Sequence, residues 1–267
     1  MKIIVPIKQV PESSKVKMDP ETGTVIRTGV ETVVNPLDLY ALEAALRLKE
    51  QYGGTVTALS MGPPQAKRVL KEAEAMGCDN AVLVSDRKFG GADTWATSYT
   101  LAAAVTKIGG FDLIITGERA TDGDTAQVGP GIAAHLDLPL ATYVSKIREV
   151  KDGRIYPERL TEEGYEQLSL PLPCLLTVVK EAGVPRLPTL SGKIRSRELE
   201  IPLYSTENMD LKEEFLGLKG SPTKVVKIES PKVTRGGKLV NASEGGEVGL
   251  KKAVDALMAL LQERSII

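Results

Sequence analysis

Residues 117–131, Gly-Glu-Arg-Ala-Thr-Asp-Gly-Asp-Thr-Ala-Gln-Val-Gly-Pro-Gly, gather chemistry-bearing side chains in one short stretch. Two acids spaced Asp-Gly-Asp suggest a cation loop, whereas a glycine-rich turn suggests a phosphate loop. The ligands would carry opposite charge. As a calcium loop the stretch fails. With Asp122 at position one, Asp124 fills position three, but Ala126 and Ala133 stand at positions five and twelve, where oxygen ligands are required. As an anion site it works: Gly123, Thr125, Ala126, Gln127, Val128 and Gly129 offer backbone N–H groups just ahead of a helix. Thr125 and Gln127 add side-chain donors, and Arg119 adds a positive charge. Bare carboxylates would repel a phosphate. Asp122 and Asp124 are therefore expected to turn onto backbone N–H groups, as caps and Asx turns do.

The elements that must position this loop are legible from periodicity. Apolar, β-branched runs occur at "KIIVPIK", "TVTALSM", "NAVLVSD" and "DLIITG". Between them lie "LDLYALEAALRLKEQY", "PPQAKRVLKEAEAMG" and "TWATSYTLAAAVTKI", with apolar residues at helical spacing. Strands that are apolar throughout and alternate with helices predict an α/β fold with a doubly wound, mostly parallel sheet. "KVKMDPETGTVIRTG" interrupts the pattern and reads as a surface hairpin around Pro-Glu-Thr-Gly. From Leu140 the texture becomes antiparallel, with turns at Lys151–Arg154 and Glu162–Gly164. A short helix is expected within "LPTLSGKIRSRELEI". Residues 200–245 lack periodicity, and a final amphipathic helix follows at "EGGEVGLKKAVDALMALLQERSII". A structureless run of roughly 45 residues is unusual inside a compact domain. An extended arm lying across another subunit accounts for it, with an apolar helix face left to bury.

In such a sheet, ligands bind beyond the carboxyl ends of the strands. Three further loops lie there. Pro6 ends the first strand, either as a plain stop or to admit a ligand. Asn35 and Pro36 suit the N-cap and first turn of a helix. Gly90 and Gly91 lead to Asp93 or Thr94 as an N-cap, and free N–H groups there suit a phosphate. The match to the Ser-Gly-Gly-x-Asp-Ser loop of ATP-cleaving ligases is imperfect and follows the wrong strand. No Gly-x-Gly-x-x-Gly is present, which excludes an ordinary dinucleotide fingerprint. His135 reads as structural or solvent-facing, and no nucleophile–base arrangement emerges from spacing.

Composition removes other classes. With 34 basic and 35 acidic residues in 267, the net charge of −1 offers no footprint for nucleic acid. Aromatics at 4 % supply no stacking platform. No run approaches the ~18 apolar residues of a membrane span. Cys78 and Cys174 form no Cys-x-x-Cys pair, so a metal site is not expected, and a reducing, cytoplasmic setting fits.

Taken together, "NPLDLYALEAALRLKE", "ALSMGPPQA", "GERATDGDTAQVGPGIAAHL", "LSLPLPCLLTVVKEAGVPRLPTLSGKI" and "GSPTKVV…SPKVT" resemble the β subunits of electron transfer flavoproteins, in order and over nearly the whole chain. The resemblance implies an adenine-nucleotide-hydrolase-like α/β fold. Residues 1–195 would form the nucleotide-binding domain, and 196–267 an arm and helix wrapping a partner α subunit. It implies a nucleotide site drawn from Pro6, Lys8, Asn35, Pro36, Leu37, Asp38, Met61 and Gly62. Phe89, Gly90, Gly91, Ala92, Asp93, Thr94 and Thr97 follow. The phosphate loop would comprise Arg119, Ala120, Asp122, Gly123, Asp124, Thr125, Ala126, Gln127, Val128, Gly129 and Pro130.

Two branches remain open. In the respiratory branch the site holds structural AMP, and the protein serves acyl-CoA dehydrogenases. In the electron-bifurcating branch it holds FAD and accepts electrons from NADH for ferredoxin or flavodoxin and for the α-subunit FAD. "VSDRKFGGADTWATS" and "KQVPESSKVKMDP" look like the second branch. Neither branch requires a catalytic side chain, so none is assigned. The resemblance further implies docking onto a dehydrogenase or quinone oxidoreductase through Leu190, with Arg195 and Arg197 beside it. Any membrane association would run through such partners. A nucleotide-binding protein of the universal-stress type shares a similar core but would be about half as long.

Overall fold

The computed structural model of the chain describes residues 1–12, 32–226, 240 and 246–267. The expected hairpin at 15–29 lies outside the described residues, as does part of the "GSPTKVV…SPKVT" segment. By internal packing the chain divides into Met1–Lys227 and Ile228–Ile267.

In the first unit, β1 (Lys2–Pro6), β4 (Thr55–Met61), β5 (Asn80–Val84), β6 (Leu113–Gly117) and β11 (Cys174–Val178) form the parallel heart of a ten-stranded sheet. A small antiparallel ribbon, β2 (Gln9–Pro11) with β3 (Thr32–Val34), flanks the segment outside the description. On one side of the heart, β7 (Leu140–Lys151) runs parallel to β11 and then pairs antiparallel with β8 (Arg154–Thr161). The β7–β8 turn places Asp152 at φ 52° and Gly153 at φ 72°, the mirror-image turn that matches strand twist. Strands β9 (Gly164–Gln167) and β10 (Leu170–Pro171) close that edge. At the other edge, β12 (Leu203–Tyr204) pairs parallel with β5. The order is β10-β8-β7-β11-β6-β1-β4-β5-β12, with β9 on β8. The predicted doubly wound α/β sheet is therefore present.

Strand alternation feeds two cores. Val5, Val56, Leu113 and Ile115 face α1 (Pro36–Tyr52) and α2 (Lys67–Met76), packing with Leu42, Leu46 and Leu70. Ile4, Leu59, Ile114 and Leu175 face α3 (Thr94–Ile108) and α4 (Val128–His135), packing with Leu101, Val105 and Ile132. Burying one such side chain contributes about 2–3 kcal/mol. Helix α1 begins with Pro36 at its first position and ends at Gly53, whose φ of 72° a side chain would strain. The short helix α5 (Leu190–Glu198) lies where expected and packs on α2.

Beyond β12, residues 205–223 belong to the first unit and contain one 3-10 turn at Glu213–Phe215. In the second unit, α6 (Gly246–Glu263) is the amphipathic helix predicted from periodicity. No helix among the described residues is long and apolar enough to cross a membrane.

Strand order reverses around β1, which has β4 on one side and β6 on the other. The crevice at such a switch point is where open sheets bind ligands.

Candidate nucleotide site at the strand switch point

The floor of the crevice is built by two buried polar residues. Asp38, in the first turn of α1, accepts the backbone N–H of Lys8 at 2.7 Å. Burial pushes its carboxyl up from the ordinary carboxylate range to about 7, against the hydrogen bonds from Lys8, Asn35 and Gly117. Asn35 is fully buried and makes no side-chain cap on α1, contrary to the role its position suggests. Its amide donates to the Arg119 carbonyl at 2.9 Å, and its oxygen accepts the Thr121 N–H at 3.2 Å. Asn35 is thus a clamp on the 117–131 loop. Gly117 closes the floor: a Cβ there would lie 2.5 Å from Asp38 Oδ1 and 2.8 Å from the Leu37 backbone. The loops after β1 and β6 and the start of α1 are in this way brought together.

The 117–131 loop stands out from this floor, exposed over Thr121–Thr125. Its carboxylates do not turn onto backbone N–H groups as expected. Asp122 pairs with the Lys8 ammonium at 2.6 Å, and Asp124 faces the Arg119 guanidinium at 3.2 Å, which also meets Glu118 at 3.2 Å. Positive φ at Asp124 (53°) and Ala126 (55°) accompanies this outward path. A fully charged partner within reach outcompetes a neutral amide for a carboxylate.

The end of the loop keeps its donors. Gln127 precedes α4 without a side-chain cap, whereas Asp93 caps α3 and Thr189 caps α5. The first-turn amides and positive dipole end of α4 are therefore free of side-chain competition. Beneath them Thr116 Oγ1 is buried with no hydrogen-bond partner. Gly129 is required for this approach, since a Cβ would sit 2.7 Å from Thr116 Oγ1 and 2.8 Å from Thr177 Cγ2. Pro130 has no N–H to offer, which leaves Val128 and Gly129 as the donors of that turn. The donor set suits an anionic ligand. Among the described residues no group of three or more His, Cys, Asp and Glu could hold a metal ion.

Farther along the carboxyl ends of the strands lie Met61, the last residue of β4, and Gly62, both half-buried, and the loop after β5. Several donors of that second loop are already engaged. The Asp93 N–H donates to Ser221 Oγ at 2.8 Å, the Ala96 N–H to Asp93 Oδ1 at 3.0 Å, and the Gly90 N–H to the Arg87 carbonyl. Phe89 packs into the α3 core and turns its ring away from solvent. Gly91, at φ 73°, lies against Leu218. Thr94 and Thr97 are half-buried at the start of α3. His135 is exposed and packs edge-on against Trp95 and Tyr99, away from the loop.

The segment ahead of α5 is held by an ion cluster that sequence reading missed. Arg186 Nε bonds Glu43 Oε2 at 2.8 Å, Arg47 bonds the other Glu43 oxygen at 2.7 Å, and Arg186 also reaches Glu50. A charged residue among the apolar positions on the inward side of α1 was the available sequence signal for Glu43. The cluster leaves Val184, Leu187 and Leu190 79 %, 85 % and 78 % exposed. Arg197 is exposed, while Arg195 donates to the Glu74 carbonyl at 3.0 Å.

The fold defines an α/β protein with a doubly wound, mostly parallel sheet and a crevice at its switch point. Residues 22–202 match the electron transfer flavoprotein domain, and the chain belongs to the electron transfer flavoprotein family, as a β subunit. It is 44 % identical to the electron transfer flavoprotein subunit beta of Thermoanaerobacterium thermosaccharolyticum, across the whole of both chains. It is 46 % identical to the caffeyl-CoA reductase-Etf complex subunit CarD of Acetobacterium woodii, again over both full lengths. Protein FixA of Azotobacter vinelandii is 46 % identical over 87 % of this chain and 85 % of its own.

Proposed function

We propose that this chain, paired with an α subunit, holds FAD at the switch-point site of an electron-bifurcating flavoprotein. The complex would take electrons from NADH and divide them between ferredoxin or flavodoxin and the α-subunit FAD. The observation that carries the nucleotide reading is the uncapped start of α4 over the unpartnered Thr116 hydroxyl. The full-length likeness to CarD, a subunit of a reductase–Etf complex, supports the choice of branch.

FAD, when bound, supplies the redox chemistry. The chain's residues bind and orient it. The Val128 and Gly129 amides, with Thr125, would hold phosphate oxygens, Arg119 and Lys8 would offset their charge, and Asn35 and Asp38 would fix the loops. The exposed apolar segment at Val184, Leu187 and Leu190, with Arg197 beside it, would dock an acyl-CoA dehydrogenase or quinone oxidoreductase. The compartment would be the cytoplasm.

One observation favours structural AMP as the second reading. Asp93 caps the start of α3, so of the two helices that follow the β5 and β6 loops only α4 offers an uncapped start for phosphate. Flavin analysis of the purified αβ complex decides between them. Two FAD per αβ pair and bleaching by NADH are expected. One FAD with one AMP, and an absorbance spectrum indifferent to NADH, would establish the respiratory reading instead.

A further inference from the structure

Residues 205–223 cross the loop after β5 and are stitched to it at four places. At the near end, Asp86 Oδ2 accepts both the Thr206 N–H at 3.1 Å and the Thr206 hydroxyl at 2.5 Å. At the far end, Asp93 Oδ2 accepts both the Thr223 N–H at 2.9 Å and the Thr223 hydroxyl at 2.8 Å. The same two-pronged bond is thus made at each end of the loop, by an aspartate of the loop and a threonine of the crossing segment. Between them the Leu218 N–H donates to the Gly90 carbonyl at 3.0 Å. The backbones touch there: Gly217 has φ 53°, and a Cβ on it would lie 2.2 Å from the Lys88 carbonyl and 2.8 Å from that of Gly90. Ser221 Oγ takes the Asp93 N–H and donates to the Gly217 carbonyl at 2.7 Å. Lys88 and Glu213 add an ion pair at the surface.

The loop's own bonds span one 3-10 turn: the Lys88 N–H donates to Asp86 Oδ1 at 3.0 Å, the Phe89 N–H to the Asp86 carbonyl and the Gly90 N–H to the Arg87 carbonyl, and these bonds end at Gly90. Gly90 and Gly91 add conformational freedom, and only the Phe89 ring is anchored in the core. Asp93 is shared: Oδ1 caps α3 through Ala96, and Oδ2 holds Thr223. Both aspartates are held below the ordinary carboxylate range. For Asp86 the leading cause is the Thr206 hydroxyl; for Asp93, burial acts the other way and the bonds from Ala96 and Thr223 outweigh it.

We propose that residues 205–223 are a strap that sets the conformation of the 86–94 loop, with Thr206 and Thr223 as its positioning residues. Through them the strap sets how tightly that loop holds the outer part of a nucleotide seated at the switch point. This second step rests on the nucleotide reading above. The strap would act on a dinucleotide, which reaches from α4 along the carboxyl ends of the strands, and not on a mononucleotide confined to the α4 end.

The test compares the αβ complex with Thr206→Val/Thr223→Val and with Thr206→Ser/Thr223→Ser, which keeps both hydroxyls. Amide hydrogen exchange over residues 86–96 and at Leu218 is expected to quicken about tenfold in the valine variant and to stay at the wild-type rate in the serine variant. FAD affinity should fall several-fold in the valine variant, with AMP affinity unchanged. Unaltered exchange in the valine variant, or equal change in both variants, would overturn the strap. Faster exchange with undiminished FAD affinity would overturn its action on the site. Binding of FAD and AMP to the wild-type complex is a separate arm, and absence of both refutes the nucleotide reading while the exchange arm still judges the strap.

Discussion

The backbone N–H of Lys8 points at the buried carboxylate of Asp38 from 2.7 Å. This one bond joins the end of β1 to the first turn of α1 at the floor of the site. It does not fully repay the burial of a charge, and the Asp38 carboxyl is pushed up to about 7.

A carboxyl that binds its proton more tightly when folded favours the folded state most at low pH. For Asp38 that contribution is fully present below about pH 4 and is lost as pH rises through 7. Asp38→Asn removes this loss, retains an acceptor for Lys8 and gives up the bond from Gly117. The denaturant midpoint of the wild type should therefore fall between pH 5 and 8 relative to that of the variant, by an amount equivalent to roughly 1–3 kcal/mol. Parallel pH profiles for the two proteins would contradict the assignment.

Asn35 holds both the Arg119 carbonyl and the Thr121 N–H. Asn35→Ala strands two backbone groups at the root of the loop, at a cost of about 1–3 kcal/mol in denaturant unfolding. Adenine-nucleotide affinity should weaken as well, because the loop loses its anchor. Full affinity in Asn35→Ala would show that the loop is positioned by other means.

The architecture was legible because periodicity reports burial directly. Leu113, Ile114 and Ile115 are all buried, and an apolar run of that kind fits only a strand covered on both faces. The Asp152–Gly153 turn was legible because few residues tolerate its positive φ. The site was half legible. Glycine spacing marked the loop before α4, and the calcium count rejected a cation. Long-range polar pairing was not legible: Asn35 with Arg119, Asp122 with Lys8, and Arg186 with Glu43 lie 84, 114 and 143 residues apart, and local rules gave Asn35 and Asp122 nearer roles as a cap and an Asx turn. Phe89 shows the same limit. The resemblance implied a place for it in the nucleotide site, and its ring packs into the core.

Gly129 is a contact position more than a flexible one. An added methyl group would meet Thr116 Oγ1 at 2.7 Å and Thr177 Cγ2 at 2.8 Å, on two adjacent strands. Gly129→Ala should lift the start of α4 off the sheet and destabilise the protein by about 1–3 kcal/mol. Gly123→Ala meets open space and should cost little by comparison. Equal melting temperatures for the two variants would refute the packing argument.

Arg186 and Leu190 separate the presentation of the exposed segment from its contact. Glu43 is almost fully buried, and burial alone would raise its carboxyl. The bonds from Arg186 and Arg47 outweigh that and hold it below the ordinary range. A carboxyl depressed in this way stabilises the fold above about pH 4.5, and that stability is lost as pH falls through its folded value. Arg186→Met leaves Glu43 to Arg47 alone. It should cost about 1–3 kcal/mol at pH 7, and the deficit should shrink as Glu43 is protonated in acid. Leu190→Ala removes an exposed side chain that carries none of this cluster, so its unfolding midpoint should match the wild type. Electron delivery to a docked dehydrogenase should slow in both variants, through a displaced segment in the first and a missing anchor in the second. Undiminished transfer in Leu190→Ala, measured with the αβ complex, would remove Leu190 from the docking surface and leave Arg186 with a structural role only.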